Sequence, residues 1–323
     1  MPTTEVRPSA SRGIEDRRTA RCRARLFVCA LPAILLSWRA AAQDLEPRAY
    51  SLSPVGTNFL VASYGYSTGD ISFDPSLPVE EASADINAAA VGYFRSLSLF
   101  GRSGNVSLAA PYVWGTLQGL LAGEFTQIRR SGFADPRMRV GINLYGGPAM
   151  DLRQLATWRQ ATTIGASLSV LAPLGEYDHT KVVNLGGNRW AFKPEIGLSH
   201  RVGPRWVFDL YGGVWLFTDN DDFRGRTREQ DPIWNAQLHA SYNIRPRLWA
   251  AFDANFYEGG RTTVDGVENS DRQRNSRVGV TFSAPLSRRQ SFKFTYSRGA
   301  YTTVGADFDA FGVAYQYLWG GGL

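Results

Sequence analysis

Lys193 and Glu195 stand two residues apart in NRWAFKPEIGLS (188–199), and so do His239 and Ser241 in WNAQLHASYN (234–243). Residues at i and i+2 share one face of a β-strand, so each pair would work side by side on one surface. A lysine beside a glutamate makes an ion pair or an electrostatic constriction. A serine beside a histidine is the beginning of a hydrolytic site, but hydrolysis needs the two within hydrogen-bond reach. Side chains two apart on a strand run parallel and do not converge, so this pair argues weakly for an enzyme. GEYDHTK (175–181) gathers Glu176, Asp178 and His179, donors that could hold a divalent cation; a solvated loop is the simpler reading. GFADPR (132–137) places Asp135 before Pro136, which biases it away from helix and reads as a corner leading into a strand, with Arg137 facing inward.

What could position these residues is legible only once residues 1–42 are set aside. A basic region ending in Arg21, Arg23 and Arg25 leads into the apolar run LFVCALPAILLSW (26–38) and then Ala40-Ala41-Ala42. That is a signal-peptide pattern with cleavage expected after Ala42; the run is too short to cross a core of about 30 Å as a helix. The leader holds 8 of the 35 basic and 3 of the 29 acidic residues, leaving 27 against 26 and a net charge near +1. The basic pI therefore belongs mostly to the leader and implies no nucleic-acid partner. Both cysteines, Cys22 and Cys29, lie in the leader too, so neither disulfides nor thiolate metal sites are expected beyond it.

Beyond residue 42 no stretch has 18 consecutive apolar residues, while glycine and aromatics are frequent. Period-two alternation recurs twelve times, at 58–67, 85–94, 105–115, 138–145, 163–170, 188–199, 206–215, 234–243, 248–257, 277–283, 291–297 and 311–319. Connections alternate between short turns (201–205, 244–247, 286–290) and longer polar loops (67–84, 116–136, 172–188, 218–232, 258–276). The stretch 145–160 is long for a turn and has room for a helical turn at the barrel base. One face of each strand is apolar with aromatics near its ends, as in Trp206 and Phe208, and the other is polar, as in Asn235, Gln237, His239 and Ser241. The pattern predicts an all-β, antiparallel transmembrane barrel of about 12 strands, of the outer-membrane type, in a Gram-negative envelope. The segment 43–57 reads as a short periplasmic lead, too short for a plug domain; 58–319 is the barrel and 320–323 a tail. The last strand, with Phe311, Val313, Tyr315, Tyr317 and Trp319, resembles the C-terminal signal read by barrel-assembly machinery, a partner alongside outer-membrane lipids.

SGFADPRMRVGINLYGGPAM (131–150), APLGEYD (172–178) and NLGGNRWAFKPEIG (184–197) resemble the MetA-pathway phenol-degradation family of outer-membrane transporter proteins. The resemblance runs from PVGTNFLV (54–61) to the last strand, and its middle motif is the most specific part. It implies a barrel and the passage of small molecules, aromatic ones among them.

With the apolar register facing lipid, the lumen receives Arg139, Asn143, Lys193, Glu195, Asp209, Tyr211, His239, Asp253, Asn255, Arg277 and Lys293 as candidate pore-lining residues. A charge on the lipid face would cost about 2–4 kcal/mol at mid-bilayer, which is why Lys193 and Glu195 must point inward. Pro194 between them cannot donate to the ladder and is expected at a bulge or a strand rim. Inward glycines (Gly141, Gly165, Gly197, Gly279) read as curvature or packing sites. The expected function is passive passage of small, aromatic or apolar molecules, with no cofactor, metal or energy source. A closed structural or surface-binding barrel is the alternative, and an outer-membrane hydrolase a more distant one.

Overall fold

The computed structural model describes residues 45–70, 79–121, 123–159, 161–181, 183–304 and 307–322. The leader and its cleavage point lie outside the described residues. The strands are β1 (Thr57–Asp70), β2 (Val79–Leu99), β3 (Arg102–Leu121), β4 (Glu124–Phe133) and β5 (Arg137–Tyr145). After helix α1 (Leu152–Thr157) come β6 (Thr162–Leu171), β7 (Ala191–Val202), β8 (Trp206–Phe217), β9 (Asn220–Phe223) and β10 (Arg226–Gln230). The chain continues through β11 (Ile233–Arg245), β12 (Leu248–Gly259), β13 (Thr262–Val264), β14 (Val267–Glu268), β15 (Gln273–Pro285), β16 (Gln290–Tyr301) and β17 (Phe308–Gly320).

Each expected strand is present. Every wall pairing is antiparallel; the last strand returns to the first (Ala62 opposite Tyr315), and β2 pairs with β3, so the sheet closes. Counting β4 and β5 as two halves of one strand, twelve strands make the barrel. The remaining four, β9, β10, β13 and β14, form a small separate sheet from the β8–β11 and β12–β15 connections. Closure removes sheet edges, the condition for a β-structure to span lipid. No described helix is long and apolar enough to cross a membrane, so crossing is left to the strands.

Alternation sets which face is which. Along β7, Lys193, Glu195, Gly197 and Ser199 are buried while Pro194, Ile196 and Leu198 are exposed. Exposed aromatics cluster toward both rims: Tyr64, Tyr112, Trp114, Trp190 and Trp234 at the loop end, and Tyr93, Trp206 and Phe208 at the turn end. This is where amphipathic rings meet headgroups, and the short-turn end is the periplasmic one in outer-membrane barrels. Between β2 and β3, Phe100 and Gly101 both take positive φ (+53° and +72°), the geometry of a two-residue I′ hairpin. Helix α1 occupies the base connection, as its length suggested; Asp151 accepts from Gln154 N (2.8 Å) and Gln154 Oε1 accepts from Asp151 N (3.0 Å), a capping box.

Three expectations are corrected. The stretch 116–136 is not a loop: β3 runs on to Leu121 and turns back as β4, a tall hairpin. Pro194 makes no bulge: it sits opposite Leu168 in unbroken register, and the β7–β8 register is the same on either side of it. It is exposed, and its missing N–H leaves only a local gap in the ladder. The segment 43–57 is not simply a periplasmic lead, since from Leu45 to Tyr50 its described part lies inside the barrel, hydrogen-bonded to inner-face residues.

Candidate functional site

The inner face carries the polar residues, and the N-terminal segment lies on them. Glu46 N donates to Gln237 Oε1 (3.2 Å), Arg48 N to Asp209 Oδ2 (3.3 Å) and Ala49 N to Tyr211 Oη (3.1 Å). The Glu46 carboxylate pairs with Arg137 and approaches Arg139 Nη1 at 4.0 Å. Burial alone would raise the Glu46 pKa, but the charges of Arg137, Arg139 and Lys193 outweigh it and hold the carboxyl well below its usual range. The Arg48 guanidinium lies over Trp249 at 4.3 Å.

Tyr50 is the anchor. It is 1 % exposed, its hydroxyl donates to Glu195 Oε1 (3.1 Å) and lies 3.1 Å from Ser167 Oγ, and its carbonyl accepts from Asn143 Nδ2 (3.4 Å). Its ring meets Tyr211 edge-on at 5.2 Å. The slot for that ring is cut by two glycines that face each other across β6 and β7, Gly165 and Gly197. A Cβ on Gly165 would come within 2.1 Å of the ring, and one on Gly197 within 2.2 Å. Gly279 does the same for Leu45, whose Cδ1 would meet an added Cβ at 2.8 Å. Three of the four inward glycines thus receive the N-terminal segment, while Gly141 faces Asn105.

All eleven candidate pore-lining residues lie on the inward face; Asn255 there accepts from Asn235 Nδ2 (2.5 Å), and eight of the others fall into three groups. Arg139, Lys193 and Glu195 form a buried ionic cluster: Lys193 Nζ is 2.7 Å from Glu195 Oε2, and Arg139 Nη2 is 3.5 Å from Glu195 Oε1. Asn143, Asp209 and Tyr211 hold the N-terminal segment by the contacts above. His239 Nδ1 bonds Asp253 Oδ1 (2.7 Å), and Thr281 Oγ1 donates to Asp253 Oδ2 (2.6 Å). Lys293 and Arg277 stand apart, with no carboxylate at ion-pair distance among the described residues.

The hydrolytic reading finds no geometry. His239 Nε2 and Ser241 Oγ are both buried without a hydrogen-bond partner, so they do not bond each other. The string Gly65-Tyr66-Ser67-Thr68-Gly69 has the Gly-x-Ser-x-Gly spacing, but it lies inside β1, with Ser67 opposite Ile86 and Ala310, and not on a strand-to-helix turn. At the loop end, His179 Nδ1 faces Asp222 Oδ2 (3.4 Å) and Asp178 bonds Thr180 and Lys181. No three His, Cys, Asp or Glu side chains gather as a metal site among the described residues.

Asp135 marks a second feature. Between Phe133 and Arg137 the chain has one more residue than β3 opposite, a bulge that splits one strand into β4 and β5. Below it β5 pairs with β6; above it β4's outer edge is met by the loop 172–190. There Glu176 N donates to Phe133 O (2.8 Å) and Arg130 Nε to Val183 O (3.2 Å). The Asp135 carboxylate clamps that loop, accepting from Gly175 N (2.9 Å) and Gly187 N (2.8 Å). The loop then packs Val183 on Ala84 and Leu117, and Leu185 on Val113 and Ala134. The corner expected at Asp135-Pro136 is therefore present, and the motifs around 131–150, 172–178 and 184–197 converge on this patch of wall.

The sequence did not single out Glu46, Arg48, Tyr50, Ser167 or Thr281. The cross-strand pair of inward glycines was the signal available for Tyr50, since a slot in a polar lumen asks for an occupant.

Residues 63–317 match the family described as "Putative MetA-pathway of phenol degradation". No curated protein matches the chain. Among solved structures, the COG4313 outer membrane channel from Pseudomonas putida F1 aligns with a TM-score of 0.71 at 22 % identity, covering 85 % of this chain and 100 % of that one. The transport unit of the autotransporter AIDA-I from Escherichia coli aligns at a TM-score of 0.49 and 8 % identity, over 84 % and 92 % of the two chains. At 22 % identity the likeness to the channel is one of fold.

Proposed function

This chain belongs to the MetA-pathway phenol-degradation family, and from that premise we propose that it is an outer-membrane channel for small molecules, aromatic or apolar ones among them, closed at rest by its own N-terminal segment. The observation that carries the reading is the seating of Tyr50 in the Gly165–Gly197 slot. Segment and barrel fit each other, yet no strand pairing joins Leu45–Tyr50 to the wall. A segment held by side-chain contacts can leave without unfolding the barrel. Passage is then passive, with Arg139, Lys193, Glu195, Asp209, His239 and Asp253 lining the route once the segment moves.

The test is single-channel recording of the refolded mature chain in a planar bilayer, beside Tyr50→Ala. Wild type is expected to open rarely or with small steps, and Tyr50→Ala more often or with larger ones. Silence in both, with heat-modifiable migration proving each barrel folded, would favour the closed structural reading. The dense bonding of Glu46–Tyr50 is the observation on that side.

A further inference from the structure

Arg277 is a buried cation that the barrel's own framework satisfies only in part. It projects inward from β15, is 2 % exposed, and cannot shed its charge at any ordinary pH. Its Nη2 donates to Ser297 Oγ (3.2 Å) and to Phe308 O (2.9 Å), and the Phe308 ring covers its guanidinium at 3.9 Å. Its Nη1 is buried and has no acceptor; the carboxylates of Asp307 and Asp309 act on it electrostatically, but neither comes within ion-pair distance. A buried charge with an idle donor is costly unless something supplies the acceptor.

The same residue lines a chamber of about 210 Å³ in the loop half of the lumen. The other walls are mainly apolar, Ile86, Ala88, Ala310 and Phe308 among them, with the hydroxyl-bearing Tyr66, Ser67 and Ser297 also present. Ile86 and Ala88 also pack on Val113, Ala134 and Leu185, so the apolar wall continues to the loop that Asp135 clamps. Leu45 of the N-terminal segment lies against Gly279, two residues from Arg277, which puts the segment next to the chamber. The chamber is smaller than the ~300–1,000 Å³ of sites for drug-sized ligands, so its occupant is no larger than a ring with a short substituent.

We propose that Arg277 and this chamber form a binding site for a small monocarboxylate with an apolar, ring-sized body. The carboxylate meets the guanidinium, whose face Phe308 already covers, as the side chain turns Nη1 toward the chamber, and the body lies on Ile86 and Ala88. A neutral compound of the same shape gains the apolar contact only. This names a substrate class for the channel and rests on that reading, but binding is measured without flux, so either can fail while the other stands.

The test is calorimetric titration of the mature chain in lipid nanodiscs with benzoate, benzyl alcohol and acetate. Benzoate is expected to bind about tenfold or more tighter than benzyl alcohol, the worth of one hydrogen bond to a charged group, and acetate not measurably. Arg277→Gln should bring benzoate down to the level of benzyl alcohol, and Arg277→Lys should retain part of the difference. Equal affinity for the two ring compounds in wild type overturns the proposal, whether or not the Gln variant folds. So does acetate binding as well as benzoate, which would make the site one for any small anion, or a benzoate preference that survives in a folded Arg277→Gln. Conductance recorded on the same preparations reports on the channel reading separately.

Discussion

At the scale of single residues, the alternation that builds the barrel makes neighbours in sequence answer to opposite solvents. Leu238 faces lipid and the next residue, His239, is fully buried inside. Leu238→Arg is expected to cost about 2–4 kcal/mol of folding free energy, since it places a charge in the hydrocarbon; urea titration in vesicles would read it. Inside, the danger is an orphaned partner and not polarity itself. Glu195 is the shared anion of Lys193, Arg139 and the Tyr50 hydroxyl. Glu195→Ala leaves two buried cations facing each other and should cost about 3–5 kcal/mol, the usual penalty for breaking a buried ion pair. The same titration should find Glu195→Gln milder, because the amide oxygen still accepts.

At the scale of elements, two devices hold pieces that the strand ladder does not. The loop 172–190 completes the wall beside β4 and is fastened by one carboxylate on two glycine N–H groups. Asp135→Asn keeps one acceptor and loses the other, so the loop should open more readily, at a cost of about 1–3 kcal/mol. Lys181, exposed within that loop, makes the change readable: trypsin should cut there faster in the variant than in wild type. The N-terminal segment is held by Glu46, whose carboxyl Arg137 and Arg139 keep below its usual range. A lowered folded pKa contributes stability that is complete above the unfolded value and is lost as pH falls through the folded one. Docking of the segment should therefore be unchanged from pH 7 down to about 4.3 and weaken only below that. Protease accessibility of Arg48 against pH is the measurement, and release near neutral pH would contradict it. At the loop end, Asp178 is drawn down to about 2 by the Thr180 hydroxyl and backbone N–H and by Lys181, so that turn too should persist in acid.

At the scale of the whole molecule, the proposed channel sets a filled barrel, the arrangement seen, against a vacated one. Gly197→Ala changes no charge, yet its methyl would occupy the Tyr50 ring position. If the segment is a removable stopper, this substitution should raise conductance much as Tyr50→Ala does, with the strands intact by circular dichroism. If conductance rises only when charges such as Lys193 are changed, the flow is governed by the lumen and not by the segment.

The sequence by itself determined the barrel. A period of two with lipid on one side leaves each strand a single register, because a slip by one residue would turn every charged side chain into hydrocarbon. That is why all twelve strands and the inward direction of Lys193, Glu195 and Arg277 are legible from local pattern, and why the turn at Phe100-Gly101 and the corner at Asp135 fall where short-range geometry puts them. Only the tertiary structure decided what fills the lumen. The contacts of Tyr50 with Gly165, Gly197 and Glu195 join residues more than a hundred positions apart, and no periodicity carries that information. The tall β3–β4 hairpin was hidden for a related reason: above the membrane neither face meets lipid, so Phe125–Phe133 alternates without the contrast that marks a spanning strand. Local rules fix a strand's faces; which distant side chains meet across the bore depends on closing the wall.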